Sequence, residues 1–132
     1  MNKLKYFIPI AVIAFIFSAC KYDFIIPEKV VIVDPNDPNA EVIKFSESVL
    51  PIFNDNNNCT SCHKTGGQAP DLTTANAFSA INSSRYVNKT TPAESKIYTH
   101  PSPLTTTHSQ KKYTEAQAAI VLGWITQGAK NN

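Results

Sequence analysis

The sequence predicts an all-α domain of short helices gathered around a cofactor, and three observations carry that prediction. The first is Cys59-Thr60-Ser61-Cys62-His63, because Cys-x-x-Cys-His is the pattern at which haem c is attached. One helical turn brings two thiols to the two vinyl groups on one haem edge, and the adjoining residue offers an imidazole to the iron. The second is a pair of helix-start signals, Thr91-Pro92-Ala93-Glu94 and Thr114 to Gln117, each with a hydroxyl at the cap and a Glu or Gln three residues on. The third is that no strand, helix, strand alternation surrounds Cys59, and neither an internal repeat nor a second haem motif occurs.

Other uses of a close thiol pair fit less well. A thioredoxin-like dithiol belongs at a strand-to-helix junction of a βαβ unit. A structural zinc site would draw on Cys59, Cys62 and His63 plus a distant fourth ligand, but three ligands so tightly spaced strain a tetrahedral shell, and no second ligand pair is present.

The amino terminus argues for export. Two lysines lie within residues 1 to 5, Tyr6 to Phe17 is an almost uninterrupted apolar run, and Phe17-Ser18-Ala19-Cys20 follows. This reads as a secretory signal ending in a lipobox; the run is shorter than the roughly 20 residues that span a bilayer. Residues 1 to 19 are then removed, and Cys20 becomes the lipidated first residue. Cleavage without lipid is the alternative. The three cysteines are thereby accounted for: Cys20 for lipid, Cys59 and Cys62 for haem.

Removing Lys3 and Lys5 from twelve basic residues leaves ten against ten acidic ones, so the mature chain is near neutral. With Arg85 the sole arginine and no basic stripe, nucleic-acid binding is not expected, nor is docking by strong charge steering. Residues 20 to 44, with Pro27, Pro35 and Pro38, read as a partly extended tether. Its apolar patches, Phe24 to Ile26 and Val30 to Val33, suit contact with the domain or a partner. Residues 45 to 132 form one domain, too small for a large core and helped by the apolar face of a haem.

Along that domain, Ser46 is the expected cap of a helix through Val49, Leu50, Ile52 and Phe53, with Glu47 near its positive end and Pro51 close to its first turn. Asn54 to Asn58 loosens the helix before Cys59. Thr65-Gly66-Gly67-Gln68 is a loop. Pro70, seven residues after His63, is placed for a carbonyl there to accept a hydrogen bond from the imidazole and orient it; an ordinary turn proline is the plainer reading. Leu72 to Ile81 reads as a second helix by the spacing of Ala77, Phe78 and Ile81. Thr91 opens a third, with Ile97 and Tyr98 inward. Thr114 opens the last, Glu115 to about Gln127, stopped by Gly128. Its face of Ala116, Ile120, Gly123 and Trp124 is core.

Ser46 to Phe53, the Cys59 to His63 motif, Pro70-Asp71-Leu72, Pro92 to Tyr98 and the ending Trp124-Ile125-Thr126-Gln127-Gly128-Ala129 together resemble the short monohaem cytochromes c of bacterial envelope lipoproteins, similar to planctomycete-type cytochrome c domains. The resemblance covers residues 45 to 132. It implies a cytochrome c-like α fold whose first and last helices cross beside the haem, with Cys59 and Cys62 as thioether residues and His63 as proximal ligand. Such domains commonly carry a distal methionine before the last helix, whereas the only methionine here is Met1, in the signal. His108, in Thr105-Thr106-Thr107-His108-Ser109, is the favoured sixth ligand. His100 is the rival, and an iron with neither, left five-coordinate or bound by water, Lys111 or Lys112, is the third possibility.

The expected function is one-electron transfer by a lipid-anchored cytochrome between redox proteins of the bacterial cell envelope, with the haem domain facing the periplasm. Replacing Met by His lowers the potential, other factors being equal. An open iron would instead suit a sensor or scavenger of small ligands. Enzymatic activity is not expected: peroxide reduction needs an acid-base group beside an open site, and none is recognisable. A docking module of a larger envelope complex, held by the tether, is the structural alternative.

Overall fold

The computed structural model describes residues 37, 39–110 and 112–132. Residues 1–36, which include the expected signal, Cys20 and most of the expected tether, lie outside the described residues, as do Pro38 and Lys111. Among the described residues the regular structure is helical and contains no strand, and no helix is long and apolar enough to cross a membrane.

A π-helical turn, Phe45–Val49, runs directly into α1, Leu50–Asn54, whose Pro51 falls in the first turn, where its missing N–H is tolerated. Ser46 does not cap this helix, because its hydroxyl and its amide both donate to the carbonyl of Asn132, at 2.7 and 3.0 Å. A tertiary partner has displaced the local one. After α1, Asn56 and Asn57 adopt positive φ of 54° and 52°, which asparagine tolerates better than most residues. The chain thereby reverses into Cys59.

The second helix, α2, is Ala77–Ile81, shorter than the spacing predicts. Asp71 accepts from the Thr73 amide and hydroxyl, at 3.0 and 2.6 Å, and residues 74–76 form turns rather than regular helix ahead of α2. At Thr91 the expected capping box is likewise absent. The Thr91 hydroxyl accepts from Asn88 Nδ2 at 2.9 Å, a single 3₁₀ turn spans Pro92–Glu94, and Ser95 at ψ 128° interrupts it before α3, Lys96–Thr99. The buried Ser95 hydroxyl accepts from the Asn88 amide at 2.9 Å, so the loop is organised by Asn88.

The last helix, α4, spans Glu115–Thr126 and opens on the full capping box predicted at Thr114 and Gln117. It ends at Gly128, φ 97°, with the Ala129 amide returning to the Trp124 carbonyl at 2.9 Å. That left-handed geometry is what glycine provides after a helix.

The core gathers around α4. Trp124 is 1% exposed and packs on Phe45 with ring centroids 5.3 Å apart; Phe45 in turn meets Phe78 edge-on at 5.3 Å. The indole N–H donates to the Lys130 carbonyl at 2.9 Å, so its one polar group is satisfied. Phe53, Val49, Ile81, Val121 and Ile125 complete the buried centre. The two ends of the domain are sewn together beside it. Gln127 Oε1 accepts from the Ile43 amide at 2.8 Å while its Nε2 donates to the Glu41 carbonyl at 2.9 Å, and Asn132 Oδ1 accepts from the Phe45 amide at 2.9 Å.

Trp124→Ala removes the largest fully buried side chain and is expected to cost about 3–5 kcal/mol, measured as a lowered midpoint of denaturant unfolding.

Candidate functional site

The motif occupies a single hydrogen-bonded turn. The His63 amide donates to the Cys59 carbonyl at 2.9 Å, the Cys62 amide to the same carbonyl at 3.2 Å, and the Cys59 amide back to Phe53 at 2.9 Å, which anchors the turn on α1. Both thiols and the imidazole therefore project from one short piece of backbone, as the spacing predicts. Cys59 is half-buried against the core and Cys62 is exposed, and no disulfide joins them.

The loop that follows closes onto this turn. Gln68 donates its amide to the Cys62 carbonyl at 2.9 Å, and a Cβ at Gly67 would sit 2.5 Å from that carbonyl oxygen. Only glycine permits so close an approach. The chain then returns beside His63, where the Leu72 amide donates to the His63 carbonyl at 2.9 Å and His63 Nδ1 lies 3.2 Å from the Pro70 carbonyl oxygen. A carbonyl only accepts, so Nδ1 carries the proton and Nε2 presents a lone pair.

His108 is arranged in the same way. Its Nδ1 donates to the Gln110 carbonyl, again leaving Nε2 as the electron-pair donor. The His63 and His108 rings lie 6.0 Å apart between centroids and 26° from parallel. Two imidazoles each bonded through a nitrogen about 2 Å from one metal ion hold their centroids roughly this far apart. The His100 ring stands 5.5 Å from His108 at 84°. It makes no ring hydrogen bond among the described residues. Burial holds the His100 imidazole below its ordinary pKa, with repulsion from His108, Lys96 and His63 adding to the effect.

These groups share one cavity of about 710 Å³, lined by Cys59, Cys62, His63, His100, His108 and Tyr113 among others. Its size falls within the roughly 300–1,000 Å³ usual for cofactor sites. Its permanently charged lining residues are Arg85 and Lys96, with no carboxylate. A porphyrin bearing two propionates matches that balance. Arg85 also lies over the Tyr86 ring at 5.4 Å. Among the described residues no three His, Cys, Asp or Glu side chains converge to hold a metal ion by themselves; the donor set is two thiols on one turn and imidazoles facing each other across a space.

Of the other predicted ligands, Lys112 Nζ donates to the Thr105 carbonyl and does not line the cavity. Lys111 and Cys20, the expected lipidation residue, lie outside the described residues. Sequence reasoning missed Tyr113, Arg85, Lys96 and Asp71. Tyr113 is buried, its hydroxyl donating to the Ile97 carbonyl at 3.0 Å, and burial first, with Cys59 nearby, drives its pKa well above the ordinary phenol value. Arg85, as the only arginine, carried a signal that composition alone could have raised.

No protein-family model, no curated protein and no solved structure matches this chain.

Asp71 is held ionised by hydrogen bonds, first from Thr65, then from the side chain and backbone of Thr73, with Asn76 adding to them against a small opposing burial effect. Its pKa is pushed far below the ordinary carboxyl range. A depressed folded-state pKa gives stability that is fully present above the unfolded value of about 3.9 and lost as pH falls through the folded one. The stability difference between the natural chain and Asp71→Asn is therefore expected to stay level from pH 7 to about pH 4 and to shrink below it, measured by urea unfolding at each pH.

Proposed function

We propose that the domain is a single-haem c-type cytochrome that carries one electron at a time between redox proteins of the bacterial cell envelope, anchored to a membrane through lipid on Cys20. The reading is carried by one observation. The Cys59–His63 turn opens onto a cavity that His63 and His108 both line, with ring centroids 6.0 Å apart and each Nδ1 bonded to a backbone carbonyl, which leaves Nε2 of each neutral ring as the nitrogen for a metal. A second-sphere acceptor on Nδ1 is the usual arrangement for a metal-bound imidazole.

In this reading Cys59 and Cys62 hold the haem by thioether bonds, His63 is the proximal ligand and His108 the distal one. The bound haem supplies a one-electron ferric–ferrous couple. The protein's own part is positional: the Pro70 and Gln110 carbonyls fix the two rings, Arg85 and Lys96 offset the propionate charge, and Tyr113 with the core excludes water from the inner wall. Were His63 and His108 both to hold the iron, the haem would supply a lower potential than it does with a His and Met pair. The cytochrome c-like fold, the bacterial envelope location and the redox partners belong to the same proposal. The near-neutral mature chain suits partners that dock at the exposed edge by Cys62 rather than by long-range charge steering.

The test is the ferric and ferrous absorption spectrum of residues 21 to 132 matured with haem in a periplasm, for the natural sequence, His108→Ala, His100→Ala and the double variant. A low-spin, six-coordinate spectrum that turns high-spin and binds carbon monoxide only when His108 is lost is the expected result. Retention of the low-spin form until His100 is also removed would transfer the sixth position to His100. A high-spin natural protein that binds carbon monoxide would overturn the electron-carrier reading in favour of small-ligand binding.

A further inference from the structure

The segment that supplies the Pro70 carbonyl is held by a side chain that faces away from the cavity. Asp71 is not a cavity-lining residue, yet four hydrogen bonds converge on its carboxylate. Thr65 Oγ1 and Asn76 Nδ2 donate to Oδ2 at 2.6 and 2.9 Å, and the Thr73 hydroxyl and amide donate to Oδ1 at 2.6 and 3.0 Å. Thr65 lies two residues beyond His63 and Thr73 begins the approach to α2. The carboxylate thus ties together the chain leaving the motif and the chain that comes back to it. On either side of Asp71, the Pro70 carbonyl accepts from His63 Nδ1 and the Leu72 amide donates to the His63 carbonyl. The residue gripped on both flanks by His63 is the one whose own side chain is locked.

We infer that Asp71 is a positioning residue for the His63 imidazole: by collecting Thr65, Thr73 and Asn76 it fixes the Pro70 carbonyl on Nδ1 and so sets how strongly the ring donates to a metal at Nε2. The chemistry of the donors explains why an acid is required. Two hydroxyls, an amide side chain and a main-chain N–H all point inward, and only an ionised carboxylate offers acceptor capacity to all four. An asparagine would place its own N–H₂ against donors. A carbonyl held firmly on Nδ1–H raises the basicity of the imidazole, which favours ferric over ferrous iron. Loosening the clamp shifts that balance toward ferrous.

This inference rests on the cytochrome reading and is tested on the haem-loaded chain by its midpoint potential and by the exchange rate of the His63 Nδ1 proton in the ferrous state. Asp71→Asn is expected to raise the potential by a shift of about tenfold in the ferric-to-ferrous ratio, ~59 mV for one electron, and to speed that proton's exchange. Because Asp71→Asn also removes a negative charge, Thr65→Val and Thr73→Val are measured alongside it. Each deletes one hydroxyl donor at constant charge, and each is expected to move both readouts in the same direction by a smaller amount. The threonine variants also serve if Asp71→Asn does not fold.

Unchanged potential and proton exchange in all the variants would overturn the positioning role. A shift in Asp71→Asn with none in either threonine variant would assign the effect to charge alone and overturn it equally. If the natural chain takes up no haem at Cys59 and Cys62, the cytochrome reading itself fails and this inference with it, an outcome distinct from a loaded protein whose potential ignores Asp71.

Discussion

The hydrogen bond from His63 Nδ1 to the Pro70 carbonyl joins the chemically reactive part of the chain to the packed part. On one side of it lies the turn from Cys59 to His63, hung from α1 through the Cys59 amide. On the other lies the return of the chain through Asp71 and Leu72 into α2 and the core. A histidine has two ring nitrogens, and its usefulness to a metal depends on which one keeps its proton. By engaging Nδ1, the Pro70 carbonyl decides that question in favour of Nε2. Much of the loop between residues 64 and 76 serves to hold that carbonyl in place: Gly67 lets the backbone pass against Cys62, and Asp71 locks the far end.

The rest of the domain provides a rigid back wall. Phe45, Phe78 and Trp124 form an aromatic cluster that brings the first helical turn, α2 and α4 together, while Gln127 and Asn132 stitch the ends of the domain to each other. The cavity is lined by residues of the motif turn, the Arg85–Tyr86 segment, α3 and the loop that carries His108. That loop lacks regular structure and is secured by hydroxyls: Thr105 and Thr107 both donate to the His100 carbonyl, at 3.2 and 2.9 Å. The segment beside His63 is thus tied by a carboxylate network, and the loop between His100 and His108 by threonine hydroxyls.

Those features whose cause is local were legible in the sequence. The motif turn, the Pro70 acceptor, the capping box at Thr114 and the Gly128 stop each depend on residues within a few positions of one another, and each is found where the residue types placed it. The misreadings arise where another group, near or far in sequence, engages the side chain or backbone that the expected helix would have used. Ser46 has the chemistry of a helix cap, but Asn132, 86 residues away, claims its hydroxyl. Thr91 to Glu94 has the pattern of a capping box, but Asn88 engages Thr91 and Ser95 and leaves only a 3₁₀ turn. The spacing of Ala77, Phe78 and Ile81 suggests a helix from Leu72, yet regular helix is confined to Ala77–Ile81, and Asp71 organises the turn ahead of it. At the site, sequence order alone could not tell that His108 and His100 approach each other, since that depends on how the loop after α3 folds back over the cavity.

The central claim is that Cys59 and Cys62 bind haem covalently, and intact-mass and peptide analysis of the chain after periplasmic maturation tests it most directly. The account predicts one haem per chain, carried on the peptide containing both cysteines and lost when both are replaced by alanine. A folded chain whose Cys59 and Cys62 emerge from a haem-competent periplasm as unmodified thiols would contradict it.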